Sequence, residues 1–491
     1  MLSPRIAVPV GIAAIAALSL LAPFEPLYDP WAWLVWGREL AALDLDTGAG
    51  PSWKPLPVLV TTLLSPAGGA APELWLFVAR TGWLAAVALA YRLAWRLMFP
   101  VRVATGLARR FASGRVRLAR NLAGALAAIG LALLFDPFTA WTRQFAGGLT
   151  EPLLVALVLG AVDRGLSDRR GQALGLGFAA ALLRPETWPL LAIYAVWAWR
   201  GPPRLRRWIV AGAVALPALW LVPDLLGSGD ALTGAERARE ATGGAVHETV
   251  EALRRAIQMP PAVLWAGAAV CVVSAWRHAE REPLVLAGGA AAWMVIVAVL
   301  AGAGYAGLPR FAAPAAAVVC VLGAVGLVRA VAAIDGMRAS DRARRPAIAL
   351  VGLLVAGLAV QAAIRLGEIP GELDRARAYA NSVEDLEGAA GAVGDDRIDA
   401  CPPPTVTDYL FVPQLAWTLD LPLTGIEVAV QRVPAAGIAF AGRVASPATR
   451  ALDEAGTPIA RSGEWTAYEV SCPAASGASG IPIALVAGAS R

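Results

Sequence analysis

The chain carries a single lysine, Lys54, against 41 arginines, and has only two histidines and four cysteines in 491 residues. Charged residues make up 16%, well below the roughly 25% of a soluble domain. So little charge excludes a disordered chain and a soluble nucleic-acid binder. Four cysteines over this length cannot build a disulfide miniprotein, and without a Cys-x-x-Cys or a Cys/His cluster structural zinc is not expected. Apolar residues take the place of the missing charge. They are 57% of the sequence, with a mean hydropathy of +0.59, and they recur along most of the chain. That composition specifies a polytopic membrane protein.

The charge that remains is unevenly placed. Residues 1–366 carry a net +13 and residues 367–491 a net −8, giving +5 overall. The basic residues of the first part sit in short connectors between apolar runs, where the membrane explains them before any nucleic acid does. Runs long enough to cross about 30 Å of hydrocarbon fall at 6–23, 75–98, 121–135, 150–163, 173–183, 187–199, 208–226, 260–276, 283–303, 311–332 and 346–365. The first lacks a small-x-small cleavage site and nears full span length, which favours a retained helix. With the N-terminus cytoplasmic, 20 basic residues fall in inner connectors and nine in outer ones, as the positive-inside rule requires. This register holds only if residues 54–66 do not cross, so that segment is expected to be a juxtamembrane helix on the outer face.

About eleven spans therefore form residues 1–366, with 24–74 as the first outer loop. Residues 367–491 are expected to be a small extracytoplasmic α/β domain: a helix at 371–388, then short strands at Thr405–Phe411, Ile426–Val430, Gly437–Phe440 and Trp465–Val470. Cys401 and Cys472 bracket the strands, and an oxidising compartment permits a disulfide between them. Cys271 and Cys320 lie inside spans as core thiols.

The first outer loop reads Pro26-Leu27-Tyr28-Asp29-Pro30-Trp31-Ala32-Trp33-Leu34-Val35-Trp36. Asp29 is expected to cap a helix with Pro30 in its first turn. Trp31, Trp33 and Trp36 suit the headgroup boundary, so the helix is expected to lie flat on the outer leaflet. Trp53-Lys54-Pro55-Leu56-Pro57 then places a cation at a proline-broken turn, within reach of lipid phosphate.

These two pieces, in this order, resemble the GT-C superfamily of polytopic glycosyltransferases, which includes protein O-mannosyltransferases and lipid A aminoarabinose transferases. Gly148-Leu149-Thr150-Glu151-Pro152, Leu183-Arg184-Pro185-Glu186 and Arg310-Phe311 extend the likeness. The resemblance implies a sugar moved from a polyprenyl-phosphate donor to a glycan, lipid or protein acceptor at the outer face of the cytoplasmic membrane. It implies Asp29 as base, and Lys54, Arg184 and Arg310 as phosphate-binding cations. Tyr28, Arg143, Glu151 and Glu186 would line the cavity, with Arg143 and Glu151 as an ion pair. Relatives commonly follow the loop aspartate with glutamate, where this chain has Pro30, so no metal or other cofactor is expected. A non-catalytic lipid-handling or transport protein, or an inactive relative, is the alternative. His247-Glu248-Thr249-Val250-Glu251 lacks the second histidine of a zinc-protease motif, and Asp44-Leu45-Asp46 sits among turn residues.

Overall fold

The computed structural model describes residues 4–22, 24–99, 113–136, 141–240, 249–335, 344–442, 444 and 446–472. Most of the inner connector 102–120 and the pair His247-Glu248 lie outside these residues. The membrane part runs α1 (Pro4–Ser19), α2 (Tyr28–Ala42), α3 (Pro55–Leu64), α4 (Ala71–Leu97), α5 (Ser113–Ala132), α6 (Trp141–Ala146) and α7 (Glu151–Leu166). It continues through α8 (Arg170–Ala181), α9 (Trp188–Ala198), α10 (Pro203–Ser228), α11 (Thr233–Glu240), α12 (Thr249–Gln258), α13 (Ala262–Arg277), α14 (Arg281–Gly302) and α15 (Ala313–Asp335) to α16 (Arg344–Val393).

Each of the eleven expected spans falls on a helix. Among the described residues, five helical runs are long and apolar enough to cross a membrane by themselves, and six if α12 and α13, bent by 91°, form one span. The remaining spans are shorter or more charged, a shortfall that neighbouring helices can cover. α3 packs along α2, and a 3₁₀ segment, Ser65–Ala70, leads into α4 through a non-helical backbone at Gly68 (φ 56°, ψ −128°).

α15 forms the centre of the bundle, with buried faces toward α13, α5, α14 and α4. Its contact with α13 needs glycine. A Cβ on Gly323 would press on the Leu264 carbonyl and one on Gly326 on the Gly267 carbonyl, so the two backbones meet where no side chain fits.

The C-terminal domain does not begin with a separate helix. α16 continues without a break for 50 residues, through Pro370, about 75 Å at the α-helical rise. Beyond it come α17 (Asp395–Ala400), β1 (Thr405–Val406), α18 (Val412–Thr418), β2 (Glu427–Val428), β3 (Gly437–Ala441), α19 (Pro447–Ala455), β4 (Thr457–Ser462) and β5 (Trp465–Val470). The sheet has the order β2-β1-β3-β5-β4, with β1 parallel to both β2 and β3 and the β3/β5 and β4/β5 pairs antiparallel. β4 was not expected. Its alternation is obscured by Pro458, and its register against β5 shifts between Pro458 and Ala460. The expected first strand stops early because the Asp408 carboxylate accepts from the Leu410 amide and starts a 3₁₀ turn at Tyr409–Phe411. Cys401 and Cys472 are joined as a disulfide, and Cys271 and Cys320 are buried free thiols.

The tryptophans of α2 correct a second expectation. Trp31, Trp33 and Trp36 are at most 2% exposed, and they share one core with Val383, Leu386, Phe411, Leu415 and Trp465 of the C-terminal domain. The C-terminal domain, not lipid headgroups, covers this face of α2. An apolar, aromatic helix face looks the same in sequence whichever of the two lies over it.

Candidate active site

α2 opens with Leu27, not Asp29, at its cap position. The Leu27 amide donates to the Gly147 carbonyl (2.9 Å) and the Leu27 carbonyl accepts from Trp31 (3.0 Å). Asp29 therefore sits inside the first helical turn and makes no side-chain cap. There its negative charge lies at the positive end of the helix dipole.

Lys54 caps α3 in an extended conformation, with Pro55 fixing the first helical residue. Its ammonium meets Asp29 Oδ2 at 3.2 Å and lies 4.9 Å from the centre of the Trp33 ring. The lysine is buried, so the ring face and the carboxylate together replace its water. Asp29 Oδ1 takes no hydrogen bond among the described residues.

A second cluster is built by three more turns. Glu151 opens α7, Arg184 precedes the 3₁₀ turn Pro185–Thr187, and Arg310 lies in the 3₁₀ turn Pro309–Ala312 before α15. Arg184 donates to Glu186 Oε1 (2.8 Å) and approaches Glu151 Oε1 at 3.6 Å, while Arg310 Nε lies 3.4 Å from the same oxygen. The Arg184 guanidinium stacks 3.4 Å from the centre of the Phe311 ring. Glu151 Oε2 and Glu186 Oε2 are buried without a hydrogen bond. Two guanidiniums thus face two carboxylates whose acceptor capacity is only half used.

The two clusters adjoin through the backbone. The Leu56 amide, two residues beyond Lys54, donates to the carbonyl of Leu182, two residues before Arg184 (3.2 Å). The Leu27–Gly147 bond ties the start of α2 to the loop that leads into Glu151. In that loop Gly148 takes φ +71°, and its carbonyl accepts from Trp75 Nε1 at 3.0 Å. A Cβ at Gly147 would strike Leu27, so the close approach requires the glycine.

The structure thus brings together Asp29 with Lys54, and Arg184, Glu151, Glu186 and Arg310 with one another. Arg143 is not among them. It forms no ion pair with Glu151, whose Oε1 is taken by Arg184 and Arg310; its charge instead lies within range of the Tyr379 phenol on α16. Tyr28 is half-buried under the C-terminal domain, its ring 6.1 Å from that of Tyr409 and edge-on to it. Burial first, and then the Asp29 carboxylate, push the Tyr28 phenol up to about 12.

Three contributors escaped the sequence reading. Arg80 lies inside α4 with no exposed surface, donating to the carbonyls of Ser19 and Ala146 at 2.8 Å each, between the rings of Phe24 and Phe145. A charge within an apolar run is a signal for such a role. Arg237 on α11 holds the carbonyls of Thr47 and Gly48. Arg38 of α2 donates to the Leu421 carbonyl at 2.8 Å and pairs with Asp420 at 2.7 Å, fastening the C-terminal domain. Neither Arg237 nor Arg38 carries a local signal, since each partner is remote in sequence. Among the described residues no group of three His, Cys, Asp or Glu side chains is placed to hold a metal ion.

No family model and no curated protein matches the chain. Among solved structures, ArnT from Cupriavidus metallidurans bound to undecaprenyl phosphate aligns over 94% of this chain and 97% of that one, with a TM-score of 0.53 and 13% identity. The same protein in the apo state aligns over the same shares with a TM-score of 0.49 and 14% identity. The chain is a multi-pass membrane protein with a fold like that of ArnT.

Proposed function

We propose that this chain is a glycosyltransferase that moves a sugar from a polyprenyl-phosphate donor to an acceptor at the outer face of the cytoplasmic membrane. The observation that carries the reading is the pair of adjoining clusters, one with an available carboxylate oxygen on Asp29 and one with two guanidiniums around Glu151. The ArnT structure bound to undecaprenyl phosphate supports a lipid of that class. The arginine bias supports a cytoplasmic N-terminus, with residues 367–491 outside.

In this reading the acceptor hydroxyl or amine attacks the anomeric carbon and gives its proton to Asp29 Oδ1. The new bond to that carbon forms as the bond to the phosphate oxygen breaks, and the electron pair leaves on the phosphate. Charge accumulating there is met by Lys54, Arg184 and Arg310. The planar guanidiniums suit phosphate geometry. Their contacts to Glu151 are long, at 3.4 Å from Arg310 and 3.6 Å from Arg184, while Glu186 holds Arg184 at 2.8 Å. Lys54 holds Asp29 by Oδ2 alone, which keeps the other oxygen turned to the acceptor.

The test is sugar release from radiolabelled undecaprenyl-phosphate sugars by the full chain in nanodiscs, with a panel of donors and lipid acceptors. Turnover of any donor supports the reading. Binding of undecaprenyl phosphate with no donor consumed would favour the lipid-handling alternative or an inactive relative, and Pro30 at the second acidic position fits the latter.

A further inference from the structure

Away from the candidate active site, a cavity of about 1840 Å³ lies between α8, α9 and α10. Its two ends differ in chemistry. Arg169 precedes α8, Arg200 follows α9 and Arg204 lies in the first turn of α10, and all three line one end. Phe178, Trp188 and Leu216 line the other. Arg184, which follows α8 and precedes α9, belongs to the opposite end of the bundle from these arginines. Along α10 the apolar wall runs from Arg204 to Pro217, about 20 Å at the helical rise.

The basic end is not neutralised. Arg170 pairs with Asp168 at 3.0 Å and stacks 4.2 Å from the centre of the Trp197 ring. The side chains of Arg169, Arg200 and Arg204 make no hydrogen bond or ion pair among the described residues. Topology alone accounts for arginines at this end, but not for an apolar cleft that starts between them. Arg206 and Arg207, on the same turn of α10, lie outside the cavity.

We propose that this crevice binds one anionic phospholipid, with its phosphate against Arg169, Arg200 and Arg204 and an acyl chain laid between α8, α9 and α10. Guanidinium–phosphate contacts supply the selectivity for charge, and the apolar walls replace the bilayer around the chain. A polyprenyl phosphate serving the transferase reading needs its phosphate at the other end, near Arg184, so the occupant here is a membrane phospholipid. This inference stands whether or not the chain transfers sugar.

Native mass spectrometry of the full chain tests it. The detergent-purified protein is offered phosphatidylglycerol, phosphatidylcholine and undecaprenyl phosphate in equal amounts. Phosphatidylglycerol should be retained over phosphatidylcholine by about tenfold, because the choline cation beside the phosphate of phosphatidylcholine is repelled by the three arginines. Arg200→Gln/Arg204→Gln should abolish the preference, and Arg206→Gln/Arg207→Gln, with the same change in charge, should keep it. Gly175→Phe offers a second route. Gly175 lines the cavity, and a Cβ added there would meet nothing within 4 Å, so the ring projects into the path of the acyl chain and should weaken retention with every arginine in place. Equal retention of the two phospholipids, equal loss in both double variants, or undecaprenyl phosphate displacing phosphatidylglycerol would overturn the proposal, as would full retention in Gly175→Phe.

Discussion

The amide of Leu56 donates to the carbonyl of Leu182 across 3.2 Å, and this one main-chain bond joins the turn that carries Lys54 to the turn that carries Arg184. Lys54 and Arg184 stand 130 residues apart in sequence. The Arg184 turn also has local backbone bonds, from Arg184 to Ala180 and from Thr187 to Arg184, and the bond between the turns sets the two cations proposed to meet a lipid phosphate in one frame.

Arg184→Gln leaves Glu151 and Glu186 buried with one guanidinium fewer. Stability should fall by about 3 kcal/mol, the usual cost of stranding a buried charge. Adding Glu186→Gln should recover most of that loss. Undecaprenyl phosphate binding to the double variant in nanodiscs should remain ten- to a hundredfold weaker, about 1.4–2.8 kcal/mol. Normal binding by the double variant would remove Arg184 from the phosphate site.

At the α13–α15 crossing, Gly326→Val should unfold the bundle or lower its unfolding temperature sharply, because the backbones must separate to admit a side chain. Gly288→Ala on α14 meets nothing within 4 Å and should be neutral or slightly stabilising, as alanine is the better helix former. Thermal unfolding in detergent compares the two directly.

Glu25 and Glu39 on the first loop are each raised to about 7, mainly by burial; Glu387 adds for Glu25, and the hydrogen bond from the Asp46 amide offsets part of the rise at Glu39. A carboxyl raised in the folded state contributes stability that is fully present below its unfolded value of 4.5 and is lost as pH rises through about 7. Hydrogen exchange over the first loop should therefore quicken between pH 5 and pH 8 beyond its intrinsic pH dependence. Glu39→Gln, which keeps an oxygen for the Asp46 amide, should remove the Glu39 share of that excess, up to about 3 kcal/mol, and leave the share of Glu25.

Arg38→Ala should loosen the C-terminal domain from α2 by about 2 kcal/mol, through lost charge-assisted bonds to the carbonyls of Leu421 and Trp417. Asp420→Asn should change little, because that carboxylate is 83% exposed and exposed ion pairs contribute little. Hydrogen exchange at Val412–Thr418 reads both.

Long apolar runs make the membrane helices legible, since hydropathy reports the solvent around a helix. It does not report where a helix ends, which is why Leu366 looks like a boundary while α16 continues into the C-terminal domain. Asp29, Lys54, Arg184 and Arg310 are legible as charges in turns, and their partners are not. The expected partner of Glu151 is Arg143, eight residues away, whereas Arg184 and Arg310 reach it only through the packing of separate helices. The same limit hides Arg38, whose contacts lie almost 400 residues along the chain. Trp31, Trp33 and Trp36 read as a lipid belt because composition does not tell a headgroup layer from a protein cap.

Asp29→Asn gives the most direct measurement of the central claim. The variant keeps the shape of the side chain and an oxygen for Lys54, so it should bind undecaprenyl phosphate within about threefold of the parent, less than 1 kcal/mol. Sugar transfer from a donor that the parent turns over should fall by at least a hundredfold, as expected when a general base is lost. Transfer at the parental rate by a folded Asp29→Asn protein would contradict Asp29 as the base and, with it, the mechanism built on the Asp29–Lys54 pair.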